Sequence, residues 1–316
     1  MCWLFQYREE SRKPRDFYNG LWKGDRKPIV MNAIEITNLS KQYGKILAIN
    51  HMDLVVPEGM IYGIVGSNGA GKSTLIKALV GSLRPTSGGA KVLGLDPLKE
   101  KWELRKQIGY MPQSPALYDD LTARENILFF GKAQNMKDLV KRTDEILSFT
   151  ELSARVNDKV GTFSGGMKKR VSLCCAMVHN PKILFLDEPT AAIDPHLKIL
   201  LWKLFRKLVQ SGVTIFLSTH QMDEVLLCDR VTILSNGEIL ATDTPQKLIG
   251  LGKTRLTLTI NGMEKTTTIG STSQNLAAEL QKSGLDPQIS SVAIQTENIE
   301  EIILSIMNQR EEEMKK

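Results

Sequence analysis

From residue 31 to about residue 250, short and almost wholly apolar runs alternate with amphipathic segments. Apolar runs of four to eight residues bounded by turn signals read as buried strands, and apolar positions three and four apart read as helices. Strands are accordingly expected at 34–39, 48–56, 60–65, 91–93, 108–111, 183–186, 213–218, 230–234 and 238–241. Helices are expected at 73–80, 98–106, 197–210 and 222–227. Alternation of this kind predicts an α/β core. Between 121 and 179 the strand signal is lost and helical spacing prevails, which predicts a helical insertion at about 116–180.

The pattern changes at Leu251-Gly252. Thr-rich alternating strands at 254–260 and 265–269, a helix at 273–283, a strand at 288–294 and a helix at 298–307 predict a small C-terminal α+β domain, 251–316. Residues 1–30 differ again, with Trp3, Phe5, Tyr7, Phe17, Tyr18 and Trp22 scattered among charges and no sustained period. They are read as a disordered extension or an upstream start, with a basic-aromatic segment on a membrane surface or a partner as the alternative. The domain reading is thus an extension at 1–30, a main domain at 31–250 and an accessory domain at 251–316.

Composition narrows the class only a little. The 316 residues are 42% hydrophobic, enough for a substantial core, and 41 basic against 35 acidic side chains give a net charge of +6. That mild excess suits a phosphate ligand or an anionic surface without requiring either. Cys2, Cys174, Cys175 and Cys228 have no C-x-x-C spacing, so a zinc module is excluded. The adjacent Cys174 and Cys175 lie in an apolar run and read as core residues of a reducing compartment. No stretch approaches the roughly 18 apolar residues of a membrane span, and no signal-peptide core is evident. A cytoplasmic chain, held at a membrane only through a partner, is the expectation.

The chemistry begins at Gly66-Ser67-Asn68-Gly69-Ala70-Gly71-Lys72-Ser73-Thr74, which fits G-x-x-x-x-G-K-[ST]. It follows an apolar strand and opens a helix. Glycines there let successive N–H groups turn inward around a phosphate, and the helix N-terminus adds partial positive charge. Lys72 can reach the β- and γ-phosphates, the Ser73 hydroxyl can ligate Mg2+, and Thr74 can donate to the α-phosphate. A second signal is the apolar run 183–186 ending in Asp187-Glu188. A buried parallel strand delivers such carboxylates to the edge of the sheet that carries the phosphate loop. Asp187 is then assigned to the Mg2+ shell and Glu188 to the attacking water.

Further segments resemble those of ABC-type ATPases, in the same order along the chain. Phe163-Ser164-Gly165-Gly166-Met167-Lys168-Lys169-Arg170 is similar to the family's signature loop, Gln113 to its Q-loop, Ala191-Ala192-Ile193-Asp194 to its D-loop and His220 to its switch histidine. Tyr43 stands where the family stacks an aromatic ring on adenine. The resemblance covers about 33–250 and implies a P-loop NTPase fold of ABC ATPase type. It implies ATP and Mg2+ as ligands, with Lys72, Gln113, Glu188 and His220 catalytic and Ser73, Gln113 and Asp187 around the metal. It also implies a face-to-face dimer, homomeric or with a related subunit. In such a dimer Ser164, Gly165, Gly166 and Asp194 complete the site of the partner. Ser67, Phe163, Met167, Ala192 and Ile193 depart from the commonest residues of these motifs, and none removes a phosphate contact.

The Ser-Gly-Gly-Met-Lys-Lys-Arg stretch, Val92-Leu93-Gly94 and the C-terminal domain resemble exporter-type subunits, whose polytopic membrane subunit is a separate chain. A peripheral position on the cytoplasmic face of the membrane follows from that resemblance. A soluble ABC ATPase working on nucleic acid or ribosomes is the alternative class. It would call for a long coiled coil, a second ATPase domain or a basic stripe with interleaved aromatics, and residues 31–316 contain none of these. A regulatory subunit that binds ATP without turnover is disfavoured by Glu188 and His220.

Overall fold

The computed structural model describes residues 31–148, 150, 152–283 and 288–314. The extension expected at 1–30 lies outside the described residues.

The centre is a six-stranded sheet of order β5-β6-β7-β3-β8-β9. Its strands are β3 (Ile61–Val65), β5 (Ile108–Met111), β6 (Ile183–Asp187), β7 (Thr214–Thr219), β8 (Arg230–Ser235) and β9 (Glu238–Asp243). All pairings are parallel except β8 with β9, which closes one edge as an antiparallel hairpin. β3, β6 and β7 are buried along their whole length, as expected of parallel strands covered on both faces. Alternate side chains serve different cores. Leu184 and Leu186 of β6 join one cluster with Leu173, Cys174 and Phe205, while Ile183 and Phe185 join the other with Ile34, Leu75 and Leu79.

The first expected strands do not enter this sheet. β1 (Asn32–Tyr43) and β2 (Ile46–Pro57) form a hairpin, and β4 (Ser87–Val92) pairs with β1 in a separate antiparallel sheet of order β2-β1-β4. The Gly44 turn allows immediate antiparallel return, whereas a parallel neighbour would need a crossover segment. β4 begins earlier than the apolar signal and stops at Val92 because Leu93 takes a left-handed backbone (φ 52°). α2 (Lys101–Arg105) is shorter than 98–106. The Asp96 carboxylate accepts from the N–H groups of Leu98 and Lys99 and holds that stretch as a turn.

The expected insertion is helical: α3 (Ala123–Ala133), α4 (Leu139–Ser148) and α5 (Gly165–Met177). α3 starts in a reciprocal cap between Thr122 and Glu125. α6 (Pro195–Gln210) packs Leu197, Leu201, Trp202 and Phe205 against the sheet. α7 (Met222–Val225) stops short of 227, because Leu227 and Cys228 donate back to the carbonyls three residues before them in tighter turns.

α8 (Pro245–Ile249) leads into a three-stranded antiparallel sheet of order β11-β10-β12. Its strands are β10 (Lys253–Ile260), β11 (Met263–Gly270) and β12 (Ile289–Thr296), accompanied by α9 (Ser273–Ser283) and α10 (Ile299–Met314). Ile299 and Ile303 of α10 are buried in the same cluster as Val225 of α7 and Leu248 of α8. Among the described residues no helix is long and apolar enough to cross a membrane.

Candidate functional site

The phosphate loop connects β3 to α1 (Lys72–Leu79). Two glycines fix its path. Gly71 has φ 106°, and a Cβ there would lie 2.3 Å from the carbonyl oxygen of Ala48. A Cβ on Gly66 would lie 2.2 Å from the Leu234 carbonyl oxygen, so this close approach to β8 excludes any side chain. α1 has neither a side-chain cap nor an acidic residue in its first turn, which leaves its N-terminal N–H groups available to an anion.

A cleft of about 260 Å3 opens above this loop. Asn68, Gly69, Gly71, Lys72, Ser73 and Thr74 line it, together with Ala48, Gln113 and Glu188. The Lys72 ammonium is buried and donates to the carbonyls of Gly66 (2.7 Å) and Ser67 (2.9 Å). Burial lowers its pKa from the usual lysine value, against the opposing pull of Glu188 and Asp187.

The carboxylates sit where β6 ends. Asp187 Oδ1 accepts from the Ser73 hydroxyl (3.1 Å) and from the Ser218 hydroxyl (2.5 Å). Glu188 leaves the strand with a left-handed backbone (φ 51°), a conformation that costs a residue with a side chain about 1 kcal/mol or more. Its N–H is held by the Ser218 hydroxyl at 3.0 Å. Its carboxylate accepts from Gln113 Nε2 at 3.1 Å on Oε2, and His220 Nδ1 lies 3.1 Å from Oε1 on the other side. Nearby, burial and the Asp187 charge push the Tyr110 hydroxyl up to about 12.

The remaining predicted site residues stand outside the cleft. Tyr43 ends β1 with its ring about half exposed and the Lys41 ammonium 4.9 Å from the ring centre. Ser164 caps α5 through a bond from Met167 N–H at 3.3 Å, with Gly165 exposed beside it. Asp194 caps α6 by accepting from Leu197 N–H at 3.0 Å. A Cβ on Gly166 would lie 3.3 Å from the Ala192 carbonyl oxygen, so the start of α5 abuts the segment 191–194.

Sequence reasoning left two groups out. Lys169 is buried and donates to the Glu188 carbonyl at 2.8 Å. Helical spacing does not mark it, since every position of α5 from Lys169 to Met177 except Arg170 is buried. Glu224, fully buried, binds the Thr190 hydroxyl and the Thr219 hydroxyl, and no short motif marks it.

The donor set fits a nucleotide with a hard cation. Lys72 and the uncapped start of α1 line the cleft, and Ser73 there donates to the buried Asp187 carboxylate behind it, a pair of oxygens of the type Mg2+ prefers. A strand, a glycine-rich turn and a helix N-terminus, beside two carboxylates on the neighbouring sheet edge, define a phosphate-transferring ATPase cassette.

Comparison with known proteins bears this out. A family model described as ABC transporter matches residues 49–191, a span holding the phosphate loop, Gln113, the Ser-Gly-Gly turn and Glu188. The chain is 39% identical over 223 residues to the probable multidrug ABC transporter ATP-binding protein YbhF of Escherichia coli (strain K12), across 68% of this chain and 38% of that protein. It is 37% identical over 237 residues to the linearmycin resistance ATP-binding protein LnrL of Bacillus subtilis (strain 168), across 73% of this chain and 76% of that protein. A solved dimeric structure of the ATP-binding cassette MJ0796, in a post-hydrolysis state with ADP and Pi, superposes with a TM-score of 0.61 at 28% identity. That match covers 67% of this chain and 98% of the other. The chain belongs to the ABC transporter family, as one of its ATP-binding proteins.

Proposed function

We propose that this chain is the ATP-hydrolysing subunit of an export-type ABC transporter, working as a dimer on a separate transmembrane subunit at the cytoplasmic face of the membrane. The Glu188 carboxylate, bonded by Gln113 and flanked by His220 at the cleft that Lys72 lines, carries the reading. In it, Gly66, Ser67, Asn68, Gly69, Ala70 and Gly71 wrap the phosphates with main-chain N–H groups. Thr74 donates to the α-phosphate, and Tyr43 stacks on adenine. Lys72 transfers its ammonium from the loop carbonyls to the β- and γ-phosphate oxygens, where a buried cation stabilises developing charge most. Ser73, Asp187 and Gln113 would hold Mg2+, which when bound neutralises phosphate charge.

Glu188 takes a proton from the water that attacks the γ-phosphorus. The bond from that phosphorus to the bridging oxygen breaks, ADP leaves with the bridging oxygen, and inorganic phosphate forms. His220 keeps the Glu188 carboxylate aimed. Ser164, Gly165, Gly166 and Asp194 serve the ATP of the facing subunit, which agrees with their standing away from the cleft of their own chain. The dimeric state of the MJ0796 cassette supports this arrangement. Residues 31–250 carry the chemistry, and 251–316 form the accessory unit. Export rests on resemblance to YbhF and LnrL, which their names describe as multidrug transport and linearmycin resistance proteins.

A single-turnover assay tests the chemistry. The full chain at a concentration that supports dimerisation, mixed with ATP and Mg2+, is expected to release ADP and phosphate in equal amounts. Absence of ADP under those conditions would overturn the reading.

A further inference from the structure

The two groups that face each other across the cleft edge come from different strands. Glu188 follows β6 and His220 follows β7, whose parallel ladder ends at the Asp187–Ser218 pair. Beyond that pair Glu188 N–H still reaches the Ser218 carbonyl (3.2 Å) and hydroxyl (3.0 Å), but these bonds stop two residues short of His220. The Glu188–His220 contact, Nδ1 to Oε1 at 3.1 Å, lies near the surface, since the His220 side chain is 42% exposed. A second tie is needed to hold it.

That tie is Glu224. Its side chain is fully buried, and each carboxylate oxygen is committed to a different segment. Oε1 accepts from the Thr190 hydroxyl, two residues after Glu188. Oε2 accepts from the Thr219 hydroxyl at 2.6 Å, immediately before His220. The Thr219 hydroxyl in turn accepts from Gln221 N–H at 3.0 Å, so the turn carrying His220 is gripped on both sides. The residues close a ring: Glu188, Pro189, Thr190, Glu224, Thr219, His220 and back to Glu188. Lys198 balances the buried charge at 3.0 Å from Oε1 and reaches Gln221 Oε1 at 2.6 Å. Lys198 lies on the first turn of the helix that Asp194 caps, so the segment 191–194 is anchored to the same carboxylate.

We infer that Glu224 is a positioning residue for hydrolysis, setting the separation of Glu188 and His220 and tying both to the segment that would meet the partner's nucleotide. It touches neither substrate nor metal and acts through Thr219 and Thr190. Its oxygens accept from the Thr190 and Thr219 hydroxyls and face the Lys198 ammonium, so a group of the same shape but without the charge cannot hold Lys198 and both hydroxyls equally well. The inference rests on Glu188 and His220 being the hydrolytic pair.

The test compares Glu224→Gln, Thr219→Val, Thr219→Ser and Glu188→Gln with the parent chain, measuring steady-state ATP hydrolysis and the affinity for a fluorescent ATP analogue. Glu224→Gln and Thr219→Val are expected to lower kcat about tenfold with KM and analogue affinity within twofold. Thr219→Ser, which restores the hydroxyl, is expected to recover at least half of the parent kcat. Parental kcat in Glu224→Gln alongside an inactive Glu188→Gln would overturn the positioning role alone. Parental turnover in Glu188→Gln would overturn the underlying site reading, and this inference with it. Should Glu224→Gln fail to fold, the Thr219 pair decides. Equal losses in Val and Ser, or a fall in analogue affinity matching the fall in kcat, would mean a purely structural role.

Discussion

The ammonium of Lys169, on the helix that begins at the Ser-Gly-Gly turn, donates to the main-chain oxygen of Glu188 at 2.8 Å. That helix thus grips the backbone of the residue proposed to act on the attacking water. Replacing Lys169 with Met keeps the stem but leaves that carbonyl only the longer bond from Ala191 N–H at 3.4 Å, and losing a hydrogen bond to a charged donor costs about 1.5–3 kcal/mol. Urea unfolding should report the loss. ATP turnover should fall further than stability alone explains, because Glu188 already sits in a left-handed conformation that needs outside support.

Lys72→Met should separate binding from folding. Burial lowers the Lys72 pKa, so the folded chain holds that proton less tightly than the unfolded chain. Its contribution to stability therefore rises with pH, from the lowered value up to the ordinary 10.5. Below that window burial disfavours the charged lysine, an effect set against its bonds to the Gly66 and Ser67 carbonyls, so nucleotide-free Lys72→Met should still fold and melt close to the parent at pH 7. The parent should gain about 2.7 kcal/mol from ATP-Mg2+ at a hundred times Kd, and the variant should gain none. Thermal melts with and without nucleotide check both halves, and an unchanged ATP shift in the variant would remove Lys72 from the site.

Glu188→Gln should slow hydrolysis by about 10²–10⁴, the usual contribution of a positioned general base. The amide retains most of the carboxylate's shape, so ATP should still bind and accumulate in a dimer. Size exclusion with saturating ATP and Mg2+ should give the dimer mass, and a monomer there would argue against a nucleotide sandwich.

Gly71→Ala should abolish nucleotide binding with a moderate loss of stability, about 1–3 kcal/mol for the strained backbone. The added methyl would meet the Ala48 carbonyl at 2.3 Å, forcing the loop out of shape just before Lys72. Loss of the fluorescent-analogue signal, with a circular dichroism spectrum like the parent's, is the expected pair of results.

The described thiols should be inert in the native chain. Cys174, Cys175 and Cys228 are buried, which pushes Cys174 up to about 12 and raises the other two. In a Cys2→Ser background, iodoacetamide at pH 8 should label none of them until denaturant is added. Peptide mass spectrometry reads the result.

The sequence carried most of the central sheet, because β3, β6 and β7 are buried on both faces and advertise themselves as continuous apolar runs. It carried the phosphate loop too, since glycine is demanded there by backbone geometry that no other residue supplies. The hairpin of β1 and β2 was legible as strands but not as a separate sheet, because pairing partners are chosen by long-range packing. Lys169 and Glu224 escaped for a different reason. Each works by filling one buried acceptor or donor set contributed by distant segments, and a charged residue on a helix normally reads as solvated. Glu224 in particular gathers Thr190, Lys198 and Thr219, which only the folded chain makes neighbours.

The burial of Ile299 and Ile303 of α10 beside Val225 and Leu248 has a practical side for anyone engineering this chain. A cut at residue 250, chosen to excise the accessory unit, would also strip an oily wall from the helix that follows His220. Such a truncation would confound the loss of residues 251–316 with a damaged core. A cleaner excision removes the sheet of β10, β11 and β12 with α9 and splices α10 back by a flexible linker, so that the graft keeps its hydrophobic plug.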